Sequence, residues 1–174
     1  MKEIVFLILF TACPCVFGGE ISELYFKNLD SNTNGLTAVA STNQGITEIG
    51  IERSACFGEC PVYTFILKSD GTFRYEGEKF VKRKGQFTGT ISISEFDQLA
   101  QTIKNAGYMK LNKTYRRPVT DLPTAFTMVI MDGRRKIIMD YADSGPQKLQ
   151  AIEKLIDGLM EKAKWNNLPK DKQH

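Results

Sequence analysis

Hydrophobic and polar positions alternate most clearly in the middle of the chain. Residues 62–67 form the apolar run Val62-Tyr63-Thr64-Phe65-Ile66-Leu67, and in residues 72–76 Phe73 and Tyr75 alternate with Thr72, Arg74 and Glu76. The two runs flank Ser69-Asp70-Gly71, a hairpin signal because glycine accepts the positive φ that a tight turn demands. Strict alternation predicts one buried and one wet face. Residues 46–52 are expected to form a preceding strand and residues 85–91 a following one. The period then changes. Phe96, Leu99, Ile103 and Ala106 recur at helical spacing, behind Ser92, whose hydroxyl can cap free backbone N–H groups while Glu95 or Asp97 reaches back. Gly107 supplies a stop.

The same order follows a second time. Residues 125–131 and 134–141 flank Asp132-Gly133, a two-residue hairpin signal, and Pro146 suits a first helical turn. Leu149, Ile152, Leu155, Ile156 and Leu159 then make an apolar stripe, with lysines and acids filling the other face. Two hairpin-then-helix units predict the α+β class, an antiparallel sheet with two helices packed on one face.

The flanks set the compartment. Residues 1–13 open with charge, continue through the apolar run from Ile4 to Phe10 and end at Thr11-Ala12-Cys13. The run is far shorter than the roughly 20 residues that span a hydrocarbon core, and it reads as a secretory signal. Phe10-Thr11-Ala12-Cys13 is similar to the lipobox of bacterial lipoproteins, where a small residue precedes a cysteine that is acylated. Cys13 is therefore the expected lipid attachment, with ordinary cleavage near residues 17–19 as the alternative. Residues 14–45, rich in Asn, Ser, Thr and Gly, read as a flexible tether, residues 46–165 as a single domain and residues 166–174 as a polar tail. A domain of roughly 120 residues buries somewhat over 60% of its unfolded surface, so it needs no metal or staple to fold. The expectation is an exported protein, membrane-anchored through lipid alone and facing periplasm or cell surface, or else soluble in the periplasm or secreted. The net charge of +3 is mild and gives no reason to expect a nucleic-acid partner.

Export divides the four cysteines. Cys13 and Cys15 belong to the signal and its border; Cys56 and Cys60 belong to the folded part, in a compartment where disulfides persist. Closing this short ring requires the chain to turn back so that the Cα atoms approach within about 7 Å, which Gly58 permits. A structural disulfide leads, with a redox-active pair, a metal site and free thiols as alternatives. Cys-x-x-x-Cys-Pro also occurs in copper-delivering relatives of thioredoxin, but there it leads into a helix, and here it leads into the strand at residues 62–67. Structural zinc usually takes four Cys or His ligands; this domain offers two, since the only histidine is His174. Met109, Met128, Met131 and Met139 suit soft copper, yet three of them lie in apolar strand patterns, where core packing is the commoner role. No metal or other cofactor is expected.

Catalytic signatures are scarce. No histidine partners a serine or cysteine nucleophile, and no glycine-rich phosphate loop opens a helix, so no catalytic residue is assigned. The irregular segment Tyr115-Arg116-Arg117-Pro118-Val119-Thr120-Asp121-Leu122-Pro123 is either a proline-shaped loop or a ligand-facing one. The basic groups Lys82-Arg83-Lys84 and Arg134-Arg135-Lys136 read first as solvated turns, and second as contacts to an anionic polymer or lipid surface.

Cys56-Phe57-Gly58-Glu59-Cys60-Pro61-Val62-Tyr63, then Asp70-Gly71, Tyr75-Glu76-Gly77, the strand at Gly85, Ile93-Ser94-Glu95-Phe96, Tyr115 and Thr120-Asp121 together resemble a bacterial family of domains of unknown function, DUF6438. The likeness runs over residues 46–165, and its core motif is CFGxCPxY. It implies an exported or lipid-anchored protein with one compact domain, and it implies no activity. Carried over by position, it singles out Cys56, Gly58, Cys60, Pro61, Tyr63, Tyr115 and Asp121. With Phe57 between the cysteines, the candidate binding loop is Phe57, Gly58, Pro61, Tyr63, Tyr115 and Asp121. The expected function is a non-enzymatic envelope module that binds a protein, peptide or polymer, with a thiol–disulfide redox protein using Cys56 and Cys60 as the alternative.

Overall fold

A computed structural model describes residues 45–167, so the signal with Cys13, residues 14–44 of the tether and the last seven residues of the tail lie outside the described residues. The elements are β1 (Ile46–Arg53), β2 (Val62–Lys68), β3 (Thr72–Lys79), β4 (Gly85–Thr90), α1 (Ile93–Asn105), a 3-10 turn (Tyr108–Lys110), β5 (Thr114–Tyr115), β6 (Thr124–Met131), β7 (Arg134–Tyr141), α2 (Gln147–Lys162) and β8 (Lys164–Asn167). All eight strands join one sheet in the order β5-β7-β6-β1-β2-β3-β4-β8. The fold is α+β, and the sheet is antiparallel except where β5 pairs parallel to β7.

Strand alternation decides which side chains face the helices; it also decides burial in β3, whereas residues 63–67 of β2 and 125–129 of β6 are buried on both faces of the sheet. Ile49 and Ile51 of β1, Phe65 and Leu67 of β2, Phe73 of β3 and Val129 of β6 point to the face carrying both helices. They meet Phe96, Leu99 and Ile103 of α1 and Leu149, Ile152 and Ile156 of α2. Each such side chain contributes roughly 1.5–3 kcal/mol by leaving water. The start of α1 follows the expected capping box. Ser92 Oγ accepts from Glu95 N at 3.3 Å and donates to Glu95 Oε2 at 2.9 Å, an arrangement worth about 1 kcal/mol. In the first hairpin Asp70 Oδ1 accepts from Thr72 N at 2.8 Å, bracing the turn around Gly71, whose φ is +81°.

Four details depart from the sequence reading. Two strands were not anticipated. The two-residue β5 has no alternation to detect, and β8 sits where polarity suggested the onset of a tail. Pro146 is the residue before α2, not within its first turn; its carbonyl accepts from Leu149 N at 2.8 Å. Leu155, placed in the apolar stripe, is 46% exposed, whereas Glu153 is 2% exposed. At 100° per residue the buried residues Leu149, Ile152, Glu153, Ile156 and Leu159 form an arc centred close to Ile156, which takes in Glu153, about 60° from it, and leaves out Leu155, about 100° away on the other side. Of the three methionines in strand patterns, Met128 is fully buried and Met131 lies against the core, while Met139 is half-buried; Met109, in the 3-10 turn, also lies against the core.

Candidate functional site

The cysteine loop is placed by strand register. Arg53, the last residue of β1, stands opposite Tyr63 on β2 and Ala125 on β6. Residues 54–61 bridge β1 to β2 beyond that line, beside the segment that enters β6. Cys56 and Cys60 stand at disulfide distance with their Cα atoms 5.7 Å apart, inside the range such a bond requires. Three hydrogen bonds pin the loop to its neighbour. Ser54 N donates to Thr124 O, Thr124 N donates to Ser54 Oγ, and Phe57 N donates to Asp121 O, each at 3.0 Å. Asp121 takes a φ of +65°, a conformation that aspartate tolerates better than most residues. A Cβ at Gly58 would meet only Cys56 Sγ, at 3.8 Å. The backbone is thus fastened on both sides, while the Phe57 ring is 91% exposed and Val119 and Leu122 are exposed beside the Asp121 anchor.

An open groove of about 880 Å³ begins where the loop ends. Tyr63, Tyr75 and Trp165 form its aromatic side, Asp157 and Met160 of α2 face them, and the turn after β3 forms the mouth. The rings meet across strands: Tyr63 stacks on Tyr75 at 5.7 Å, and Trp165 meets Tyr75 edge-on at 5.2 Å and Phe73 at 4.9 Å. Each such pair contributes about 0.5–1.5 kcal/mol beyond burial. Glycine in the strands makes room for them. A Cβ at Gly89 would lie 2.5 Å from Phe73 Cζ, and one at Gly77 would lie 2.7 Å from the Tyr75 hydroxyl.

Beside the groove, Arg53, Tyr63 and Asp157 form a closed network. Arg53 Nη2 donates to Asp157 Oδ2 at 2.6 Å and Arg53 Nε donates to Tyr63 Oη at 3.2 Å, while Tyr63 Oη donates to Asp157 Oδ1. Burial and then the Asp157 charge raise the Tyr63 hydroxyl far above its ordinary range, so it stays protonated and donates. Arg53 loses hydration by burial, but the hydrogen bonds and charge of Asp157 outweigh that loss and hold its pKa above the ordinary value. The network fixes geometry and leaves no activated nucleophile.

One turn up α2 from Asp157 lies Glu153. It and Asp140 on β7 are both buried, 2% and 1% exposed, and each keeps one oxygen without a hydrogen-bond partner. Asp140 Oδ1 accepts from Ser144 N at 2.7 Å and Gly145 N at 2.8 Å, leaving Oδ2 unmatched. Burial, reinforced by repulsion from Asp140, pushes the Glu153 carboxyl up to about 8. Among the described residues, no three His, Cys, Asp or Glu side chains gather closely enough to hold a metal ion.

The candidate residues divide accordingly. Phe57, Gly58 and the Asp121 backbone share the loop edge, and Pro61 and Tyr63 line the groove that opens from it. Tyr115 is elsewhere: β5 is the opposite edge of the sheet from β8, and the Tyr115 hydroxyl accepts from Asn112 N at 3.0 Å. Sequence does not single out Arg53, Asp157, Phe80 or Trp165; it marks Tyr75 only as a strand and family-motif position and Arg83 only within a basic turn. The available signals were the lone tryptophan and the acids Glu153 and Asp157, four apart beside an apolar stripe. In comparisons with known proteins, no curated protein matches the chain. A family model described as a domain of unknown function, DUF6438, matches residues 47–160, from β1 to the last turn of α2, and the chain belongs to that family.

Proposed function

We propose that this domain is a non-enzymatic binding module of the cell envelope, tethered through lipid on Cys13, with the Cys56–Cys60 loop as a rigid edge that meets an envelope protein, peptide or polymer. The observation behind this reading is Phe57. A large apolar ring stands 91% exposed on a backbone anchored at Ser54, at Phe57 itself and by the cysteine pair. With Val119 and Leu122 exposed beside the Asp121 anchor, the ring contributes to an apolar surface suited to a partner, and a pre-ordered loop loses little entropy on binding.

A photo-crosslinking residue at position 57, compared with one at exposed Lys154 on α2, tests the edge in cells. A discrete adduct is expected at 57 alone; equal labelling at both positions would count against the proposal. Changing Cys56→Ser/Cys60→Ser should weaken the adduct. The loop-closure model gives so small a ring only about 2 kcal/mol, so the double variant should still fold. The redox alternative separates by potential. A structural bridge should lie below about −300 mV, and a value near −200 mV would favour a working dithiol. For the anchor, Cys13→Ala should release the protein from membranes; a wild-type chain carrying no fatty acid would remove the lipid tether from this reading.

A further inference from the structure

The groove has features that the loop edge does not need. We propose that it is a binding site for a small anion with an apolar body, a carboxylate carried on a ring or a short alkyl chain, held beside the Arg83–Trp165 stack at the turn at residues 80–84. Its volume of about 880 Å³ lies in the range of small-molecule sites, roughly 300–1,000 Å³. Phe80, Met160 and Trp165, each at least partly exposed, offer flat and flexible apolar contacts for the body of such a ligand.

The charged part has its own partners. Arg83 lies 4.3 Å from the centroid of the Trp165 ring, and Lys82 also lines the groove. Among the described residues, neither is ion-paired with a carboxylate. Arg53 differs, being matched by Asp157. Of the two acids lining the groove, Asp157 is therefore engaged and only Glu161 stands against the two cations. An anion entering at the turn would gain charge-assisted hydrogen bonds while its apolar part lies against Phe80 and Met160 beside the stack. The mouth also holds a strained residue. Phe80 is 54% exposed at φ +53°, a left-handed conformation that costs a bulky residue roughly 1–2 kcal/mol. Glycine would relieve that cost, so retaining phenylalanine there fits a ring that contacts something. The concave shape favours a separate molecule over a flat bilayer surface. This site is distinct from the Phe57 edge, and failure of the crosslinking test would leave it standing.

Trp165 is the chain's single tryptophan, so its emission reports this site alone. The full chain is titrated with N-acetylphenylalanine, which mimics a peptide C-terminus, with octanoate, a free fatty acid, and with the neutral N-acetylphenylalaninamide. A saturable change with either acid supports the site, and the tighter of the two names the source. The amide should bind about tenfold more weakly than its acid, and Arg83→Gln or Lys82→Gln should weaken the acid by a similar factor, the size of one lost charge-assisted contact. Phe80→Gly should keep or raise the melting temperature while weakening the acid several-fold, a split that a purely structural residue would not give. No saturable change with either acid, or an amide as tight as its acid, would overturn the proposal.

Discussion

Between about pH 5 and pH 8 the folded domain is expected to lose stability steadily, and Glu153→Gln is expected to remove a large part of that loss. The Glu153 carboxyl is raised from an ordinary 4.5 to about 8, first by burial and then by Asp140. The folded chain therefore holds a proton that the unfolded chain releases across this window. Stability from this group is fully present below about 4.5 and is lost as pH rises through 8. The limiting slope for one such group is about 1.4 kcal/mol per pH unit. Asp143 and Asp157 also oppose ionisation of Glu153, and Arg53 is the cation favouring it. Glu52, raised to about 7 by burial and by Glu78, adds a contribution of the same sign.

Glutamine at position 153 keeps the shape of the acid, never ionises, and supplies an N–H donor near Asp140 Oδ2, which lacks a partner. At pH 8 the variant should exceed wild type by on the order of 2 kcal/mol, several degrees in melting temperature, and near pH 5 the two should converge. Thermal unfolding followed across this range decides the matter. A wild-type curve that is flat or rises with pH would refute the neutral state of Glu153, as would a Gln variant destabilised equally at every pH.

The second large effect is expected from one methyl group. In Gly89→Ala, the added Cβ would lie 2.2 Å from Lys164 O and 2.5 Å from Phe73 Cζ. The first neighbour is backbone and cannot swing aside, so β8 must move off β4 or the rings must repack. Overpacking of this kind costs about 1–3 kcal/mol, and loosening the Trp165 contacts with Phe73 and Tyr75 adds to it. The expected result is a fall in melting temperature of roughly 10 °C with Trp165 emission shifted to the red. Gly158→Ala is the matched control. Its Cβ would meet nothing within 4 Å, and alanine in mid-helix is favoured by up to about 1 kcal/mol, so that variant should be stabilised. An unchanged Trp165 spectrum in Gly89→Ala would show that β8 does not depend on the missing side chain.

Much of the fold was legible because hydrophobic period is a local signal. Phe73 and Tyr75 alternating with polar neighbours gave β3, Ser92 with Glu95 gave the start of α1, and Asp132-Gly133 gave the second hairpin. The candidate site was legible in half. Phe57, Pro61 and Tyr63 lie in one contiguous motif, so their neighbourhood needed no long-range information. Arg53, Tyr75, Asp157 and Trp165 come from four separate elements, β1, β3, α2 and β8. No sequence spacing announces that Tyr63 and Asp157, separated by 94 positions, share a hydrogen bond.

Sequence by itself determined the α+β class, the two hairpin-and-helix units and the capacity of Cys56 and Cys60 to close a short loop, because these depend on period, turn chemistry and contacts between near neighbours. Tertiary structure alone decided the rest. It paired β1 with both β2 and β6 and so brought Asp121 to Phe57. It returned residues 164–167 as an edge strand that carries Trp165 to the groove, and it turned α2 so that Glu153 is buried and Leu155 is not. Those outcomes depend on which surfaces meet, and a charge on a helix face carries no mark of whether water or a carboxylate will stand opposite it.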